Sequence, residues 1–381
     1  MLLKQSPQDF IVNEIYDLEQ LKQEKGEGGN YAYFKFTKTN LSGQKAIIFL
    51  AQKLQIASKR IHFCGTKDKV AITTQLISIQ QCNKDRAQEF QEIINSNSGD
   101  MKLEYIGQFN QRLNLSNNLG NKFEITLKDI NNEEKNKFEN QEKEFQVYNF
   151  FQTQRFGICE NTHKVGLLLI KNQIKDALFE ILLSIPQDVD EDMEEYKLLI
   201  EDVKNNFENY SQEELKEEYR KIQEVFPQFL NGYETIITHL INTPKDVSGA
   251  LRTLPKKLRT LYIHAFQSAI FNKHIQYIKE NNLSVEEVCL VGYGMNENSA
   301  GYEKNIELLE ELNLEVDNLK LSHMPELQLQ AIKKPVYSIV RDYQYEELNE
   351  NSIKISFDLG VGCYATQVID EIAGEEKIII F

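Results

Sequence analysis

The chain has 381 residues, 41% of them apolar, and a formal net charge of −15 at pH 7. This length exceeds that of a usual single domain and predicts two domains. No run of about 18 apolar residues occurs, and the N-terminus has no apolar core followed by a small-residue cleavage site. We therefore expect neither a membrane-spanning protein nor a secreted one.

The cysteines and histidines indicate a reducing compartment without a metal site. The five cysteines are scattered without Cys-x-x-Cys spacing, which is typical of buried thiols in the cytoplasm. His264 and His274 are ten residues apart and the other histidines are isolated, so no metal-ligand spacing is present. We therefore expect a cytoplasmic protein that binds no metal.

Short strands and helices mix irregularly through the first 158 residues. Alternating apolar and polar residues predict strands, and apolar residues three and four apart predict helices. The predicted strands cover 10–16, 31–37, 103–109 and 122–127, and the predicted helices cover 40–54, 83–95, 131–145 and 147–156. Short, half-buried strands favour an α+β fold with a mixed, mainly antiparallel sheet over a doubly wound parallel sheet.

A helical region begins near residue 162, and strand patterns return only at 354–359 and 364–369. The predicted helices cover 165–182, 234–240, 247–252 and 255–278, with further helices in the acidic stretch 186–230. A helical block between strand-rich ends indicates an inserted domain. We predict one domain from 1–158 and 335–381, interrupted by a mostly helical insertion domain from 159–334.

Basic residues are concentrated in two segments despite the negative net charge. Residues 41–80 contain six basic residues and one acidic residue, and residues 245–259 contain five and one. Residues 186–230 contain fourteen acidic residues against five basic ones, which is typical of a solvated helical face. The two basic segments could form one positive surface, so the net charge does not exclude a nucleic-acid partner.

The segment Gly65-Thr66-Lys67-Asp68-Lys69 places one aspartate between two lysines, on a turn between two strand-like runs. A carboxylate on such a turn is held by strands and is still reachable by a ligand. The two lysines would favour its ionised form and could also contact phosphates. The simpler interpretation is a turn aspartate that bonds its own backbone, and this segment alone leaves both open.

The motifs of the chain resemble those of the TruD-type family of tRNA pseudouridine synthases. Residues 63–69 are similar to the family's catalytic Ala-Gly-x-Lys-Asp-Lys/Arg motif, with Cys64 in place of the alanine. Asn30 departs from the family's histidine, and Gln152 from a glycine. Together with 63–69, the matching segments follow the family's order and cover most of the chain: 4–14, 26–30, 119–125, 149–157, 264–272 and 362–366.

The resemblance implies a cytoplasmic enzyme that isomerises a uridine of tRNA, uridine 13 in the D-arm, to pseudouridine. The reaction breaks the N1–C1′ bond, rotates the base and joins C5 to C1′. No atom is gained and no redox step occurs, so no cofactor is required. A carboxylate acts either as a nucleophile at C1′ or as a base that removes a sugar proton, and both routes stay open. The expected partner is tRNA, with no metal, membrane or obligate protein partner.

The same resemblance implies roles for five residues. Asp68 carries the chemistry, and Asn121 orients its carboxylate. Phe123 stacks on the uracil, because an extruded base needs a π-face in place of its lost neighbours. Lys4 lies near the carboxylate, and Phe10 forms a wall of the uracil pocket. Without the resemblance, ordinary turn, core and surface positions are the simpler interpretation of the last four.

Two other functions stay open on the sequence. A non-catalytic RNA-binding protein on the same fold would keep the basic segments but would not need Asp68, Asn121 and Phe123 together. A carboxylate enzyme for a small molecule would need a second acid–base partner, and none of the six histidines sits in a recognisable pairing motif. Arg155 is a further candidate to bind a phosphate or a neighbouring carboxylate.

Overall fold

The computed structural model describes residues 1–65, 67–185, 192–230, 232–374 and 378–381. The chain forms two compact units, the first from Met1–Val147 and Ser338–Glu376 and the second from Tyr148–Tyr337 and Lys377–Phe381. Thr66 of the catalytic motif and residues 186–191 of the acidic stretch, which was predicted to be helical, lie outside the described residues.

The strands are β1 (Phe10–Ile15), β2 (Glu27–Thr39), β3 (Ile61–Phe63), β4 (Ile72–Gln80), β5 (Met101–Phe109), β6 (Gly120–Lys128), β7 (Phe145–Tyr148), β8 (Glu287–Leu290), β9 (Ile332–Pro335), β10 (Tyr337–Asn349) and β11 (Ser352–Leu359). The helices are α1 (Leu18–Lys25), α2 (Gly43–Lys53), α3 (Lys84–Asn97), α4 (Asn132–Glu139), α5 (Thr153–Phe156), α6 (Thr162–Ile170), α7 (Ile174–Leu182), α8 (Asp192–Asn206), α9 (Gln212–Glu224), α10 (Glu234–Asn242), α11 (Val247–Arg252), α12 (Lys256–Glu280), α13 (Tyr302–Glu311) and α14 (Ala365–Ala373).

The large sheet has the strand order β5-β2-β4-β1-β6-β11-β10-β7, and β3 also pairs with β4. β1 and β4 run parallel. The pairs β1–β6, β6–β11, β10–β11, β2–β4, β2–β5 and β3–β4 are antiparallel. The prediction of an α+β fold with a mixed, mainly antiparallel sheet is therefore confirmed, and the strands that follow the helical region complete that sheet.

The helix predicted over 147–156 is wrong for most of its length. Tyr148 ends β7, and only the four residues of α5 are helical. Between them, the N–H of Phe151 donates to the Asn272 side chain at 2.8 Å, and the Asn272 amide donates back to the Phe151 carbonyl at 2.9 Å. These bonds replace those of a helix, so a tertiary contact decides the conformation. The helix predicted over 131–145 is shorter than expected and ends at Glu139.

The strand predicted over 364–369 is also wrong, because this segment begins α14. Val368, Ile369 and Ile372 of the helix are buried, and their spacing of one and three residues places them on one helical face. A short apolar run fits a strand and a buried helix equally well. The buried apolar positions continue to Ile372 with helical spacing, and this spacing distinguishes the helix from a strand.

Residues at the centre of the sheet lie in register across five strands. Lys38 on β2 pairs with Thr73 on β4, and Thr73 pairs with Val12 on β1. Val12 pairs with Phe123 on β6, which in turn pairs with Phe357 on β11. Because cross-strand partners project from the same face, these side chains form a continuous stripe, here called the central row.

Helices cover the same face of the sheet on both sides of the central row. On one side, α2 and α3 form a core with β2 and β4 that includes Leu50 and Phe34. On the other side, α4 and α14 form a core with β6 and β11 that includes Phe138 and Ile125. Val12, Phe123 and Phe357 of the central row belong to the second of these cores, and this packing restricts how their side chains can move.

The second unit is mainly helical. Phe266 and Ile270 of the 25-residue α12 belong to its core, together with residues of α6 to α11. A Cβ on Gly166 of α6 would lie 2.2 Å from the Tyr262 carbonyl oxygen of α12, so only glycine permits this approach. β8 and β9 form a separate antiparallel pair. Among the described helices, none combines the length and apolar character needed to cross a bilayer.

The contact between β6 and β11 makes a prediction about stability. Gly120 begins β6 with a φ of +154°, and a Cβ there would lie 2.3 Å from the Leu359 carbonyl oxygen. We expect Gly120→Ala to lower the free energy of unfolding by roughly 1–3 kcal/mol, because the two strands must separate locally. Urea unfolding followed by circular dichroism measures this. Gly99→Ala is the control, since no neighbouring atom lies within 4 Å of a Cβ there. Equal midpoints for the two variants would contradict the prediction.

Candidate active site

Asp68 lies on the connection between β3 and β4, where two lysines from distant segments meet it. Lys38 Nζ donates to the main-chain oxygen of Asp68 at 2.6 Å. Lys4 Nζ lies 3.3 Å from Asp68 Oδ2. The Lys4 and Asp68 side chains are each 25% exposed. The carboxylate is thus held in place from the main chain and the side chain, and solvent still reaches it.

The N-terminal segment that carries Lys4 is fixed to β6. Leu2 and Lys128 exchange two main-chain hydrogen bonds of 2.6 and 3.0 Å, and Lys128 Nζ lies 2.7 Å from Asp9 Oδ1. Burial acts to raise the pKa of Asp9, but the hydrogen bonds from Lys128 and from the main chain outweigh it and lower the pKa. Lys4 Nζ also lies 3.8 Å from the centroid of the Phe10 ring, which is a cation–π contact. Lys4 is therefore positioned by its segment and by an aromatic ring.

A buried cluster lies beside Asp68. Lys67 Nζ donates to Glu14 Oε1 at 3.1 Å and to Asn121 Oδ1 at 2.8 Å. The Lys67 and Glu14 side chains are 7% and 1% exposed, so this is a buried ion pair. The other Glu14 oxygen accepts the main-chain N–H of Leu76 at 2.8 Å. Asn121 thus contacts the residue that precedes Asp68, and Glu14, which the sequence analysis did not single out, joins β1 to this cluster.

Aromatic rings extend from Lys4 along the centre of the sheet. The Phe10 and Phe123 centroids are 6.0 Å apart with the rings edge to face, and those of Phe123 and Phe357 are 5.7 Å apart. Phe10 is 1% exposed, Phe123 6% and Phe357 0%. Only a small part of the Phe123 ring is accessible. Phe357 lies on a correctly predicted strand, but its contact with Phe123 depends on the pairing of β6 with β11, which the sequence pattern does not reveal.

Burial shifts the pKa of two groups near the site. Burial lowers the pKa of Lys38 to about 8, the Asp68 carboxylate opposes this shift and Lys67 adds to it. Burial raises the pKa of the Cys64 thiol to about 12, and Cys64 Sγ donates to the Asn114 carbonyl oxygen. Burial therefore favours the neutral thiol of Cys64 over the nucleophilic thiolate.

Two arginines of the second unit differ in their surroundings. The Arg155 guanidinium lies 5.2 Å from the centroid of the Phe151 ring, and its buried Nε has no hydrogen-bond partner among the described residues. Arg259, which belongs to the basic segment 245–259, is 9% exposed and donates to Glu326 at 2.7 Å. Arg259 is thus a structural residue, and the positive charge exposed in that segment is smaller than the sequence suggests. The described residues contain no cluster of His, Cys, Asp and Glu that could hold a metal ion.

Comparison with known families decides the assignment. The family described as tRNA pseudouridine synthase D (TruD) matches residues 1–289 and 276–372 of this chain. The chain belongs to the TruD family. The match includes residues of both units, and Lys4, Lys38, Lys67 and Asn121 lie within the matched residues.

Individual TruD relatives are similar over nearly the whole chain. The probable tRNA pseudouridine synthase D of Methanococcoides burtonii is 28% identical over 97% of this chain and 92% of its own length. That of Nanoarchaeum equitans is 30% identical over 81% of this chain and 78% of its own length. The crystal structure of the putative TruD from Methanosarcina mazei has a TM-score of 0.72 at 25% identity, covering 98% of this chain and 93% of that one.

The buried ion pair of this TruD protein makes a second prediction. We expect Glu14→Gln to lower the free energy of unfolding by about 3–5 kcal/mol, because Lys67 then keeps a buried charge without its counter-ion. The double variant Glu14→Gln/Lys67→Met should recover part of this loss, since the unpaired charge is gone. The measurement is urea unfolding. Glu104→Gln is the control, because it breaks an ion pair with Lys35 that is 38% and 66% exposed and worth less than about 1 kcal/mol. Similar losses in the two single variants would contradict the prediction.

Proposed function

We propose that this protein is a tRNA pseudouridine synthase that acts through Asp68, with uridine 13 of the D-arm as its target. The observation that carries the proposal is the contact of Lys4 with the Asp68 carboxylate at 3.3 Å, beside the Phe10 ring. It brings the segment 63–69 and the segment 4–14 together, in agreement with the family resemblance, which implies that Lys4 lies near the carboxylate. Membership of the TruD family supplies the reaction class, an isomerisation within a tRNA nucleotide.

The reaction balances within the nucleotide and needs no external reactant. The electron pair of the N1–C1′ bond leaves with the uracil, and a new bond forms between C5 and C1′. N1 gains a proton and C5 loses one. In the interval, the Asp68 carboxylate either bonds to C1′ and is released as the C5–C1′ bond forms, or removes a sugar proton that it returns afterwards. A single reachable carboxylate is sufficient for both routes, and the partial exposure of Asp68 supports this role.

The residues around Asp68 receive matching roles. Lys4 orients the carboxylate through a charge-assisted hydrogen bond, and its ammonium also offers a positive charge to the departing uracil. Asn121 acts on Asp68 through Lys67, whose ammonium it binds. Phe10 and Phe123 line the uracil pocket, and the exposed part of the Phe123 ring supplies the contact for the base.

Exposed lysines support binding of the tRNA backbone. Lys45 and Lys53 on α2 and Lys59 just beyond it are exposed, so their charge is available to phosphates. A non-catalytic RNA-binding protein on the same fold would use these lysines as well. A protein that only binds RNA has no need for a buried Lys67–Glu14 pair beside a reachable carboxylate. For this reason we favour the catalytic function.

The first prediction from this proposal separates chemistry from binding. Asp68→Asn should abolish pseudouridine formation and change the Kd for tRNA by no more than about threefold, because phosphate contacts carry the binding. Carbodiimide mapping of the modified position and filter binding measure the two quantities. Asp100→Asn, at an exposed position of the same unit, is the control. Multiple turnovers by Asp68→Asn, with deamidation to Asp excluded by mass spectrometry, would refute the role of Asp68.

The next prediction tests whether Phe123 stacks on the base or only fills the core. Phe123→Leu keeps an apolar side chain but removes the π-face, so the single-turnover rate should fall by roughly 10- to 100-fold, as expected for a stacking energy of about 1–3 kcal/mol. Phe123→Tyr should keep most of the rate. Phe36→Leu is the matched control, because Phe36 is 2% exposed in the other core of this unit. If both Leu variants lose stability alike and keep the wild-type rate, Phe123 is a core residue.

A further inference from the structure

We propose that Lys38 helps to position Asp68 for catalysis, by holding the main-chain carbonyl of Asp68 from within the sheet. This inference rests on the proposed catalytic role of Asp68. Lys38 Nζ lies 2.6 Å from that carbonyl oxygen, and Lys38 is only 2% exposed. Lys38 belongs to none of the motifs that carry the family resemblance.

The contact with the Asp68 carbonyl explains why a lysine is buried at position 38. Lysine is almost never fully buried unless it is paired, because its ammonium loses its hydration. The neighbours of Lys38 along the central row are Thr73, Val12 and Phe123. An apolar side chain at position 38 would therefore be buried at a lower desolvation cost than a lysine. The ammonium instead donates to the main-chain carbonyl oxygen of Asp68. This hydrogen bond offsets part of the cost of burying the charge, and it is made to the connection that carries Asp68.

Lys38 and Lys4 act on different groups of the same residue. Lys4 contacts the carboxylate of Asp68, whereas Lys38 contacts its main-chain carbonyl. A bond to the carbonyl fixes the peptide plane, and the peptide plane sets the direction in which the side chain leaves the backbone. Lys38 comes from β2, which is paired on both sides by β4 and β5. The carbonyl is thus fixed by a rigid element, as required when a catalytic group must be held within a fraction of an ångström.

The charges around Lys38 give this role a pH dependence. Asp68 faces the ammonium as the attractive charge and Lys67 as the repulsive one. Lys67 is itself paired with Glu14, and Lys4 contacts the Asp68 carboxylate. Burial, the largest effect, lowers the pKa of Lys38 from 10.5 to about 8. Above that pH the charge-assisted bond to Asp68 is lost, so the catalytic rate should fall.

The contribution of Lys38 to folding stability has the opposite sign. The unfolded chain keeps the Lys38 proton up to the ordinary pKa of 10.5, whereas the folded protein releases it at about 8. Between these two values the unfolded state binds more protons, so this group stabilises the fold increasingly as the pH rises. A loss of activity above about pH 8 that comes from Lys38 is therefore not accompanied by unfolding.

The experiment compares single-turnover rates on saturating tRNA for the wild type, Lys38→Met and Lys38→Arg, from about pH 6.5 to about pH 10. Lys38→Met should lose roughly 10- to 100-fold in rate, with a Kd for tRNA within about threefold of wild type. The wild-type rate should fall above about pH 8. Lys38→Arg should keep more activity than Lys38→Met and should shift this fall upwards by at least about one pH unit, because guanidinium does not titrate there.

Matched controls make the result specific. Lys35→Met removes a half-buried lysine from the same strand and should leave the rate and its pH profile unchanged. Thermal unfolding at each pH checks that the folded state persists. A wild-type rate in Lys38→Met overturns the inference, and so does an alkaline fall at the same pH in the wild type and Lys38→Arg. The comparison of the wild type with Lys38→Arg does not depend on whether Lys38→Met folds. Activity of Asp68→Asn would instead overturn the proposed function itself.

Discussion

A buried ammonium must find oxygen atoms inside the fold, and the site around Asp68 is arranged by this requirement. Lys67 meets it through Glu14 and Asn121, which ties the β3–β4 connection to the paired strands β1 and β6. The parallel pairing of β1 with β4 has its last pair at Asn13 and Thr74. Beyond that pair, the Glu14 carboxylate receives the Leu76 N–H in place of a main-chain partner. Leu76 lies between the β4 residues that pair with β1 and those that pair with β3, so one acidic side chain satisfies both this main-chain N–H and a buried charge.

The arrangement holds the Asp68 carboxylate in place although Asp68 lies on a connection rather than on a strand. Connections move more than the elements they join, and catalysis tolerates little displacement. Here Lys67, which precedes Asp68, is tied to β1 and β6. The main-chain carbonyl of Asp68 itself is tied to β2. Asp68 combines the access of a surface connection with the rigidity of a sheet.

The sequence predicts the local features of this site and misses the features that depend on strand pairing. The turn at Gly65 between two strand-like runs is visible because its signals are neighbours in the chain. Glu14 and Lys38 are not recognisable in this way, because their importance follows from the register of β1 and β2 with β4. Burial of Phe123 was the simpler expectation from its strand pattern, and its 6% exposure agrees with that expectation. Where periodicity was ambiguous, as at 364–369, only the packing of Val368 and Ile372 resolves it.

The position of β11 in the chain has a consequence for biosynthesis. β6 pairs with β1 on one side and with β11 on the other, yet Tyr148–Tyr337 of the second unit is translated between β6 and β11. At ribosomal rates this delay is roughly 10–40 s, during which one edge of β6 has no native partner and is open to pairing with other chains. Phe357 and Leu359, the partners of Phe123 and Asn121, arrive only after that delay. A nascent chain therefore carries Asp68 long before Phe123 and Asn121 acquire their partners on β11.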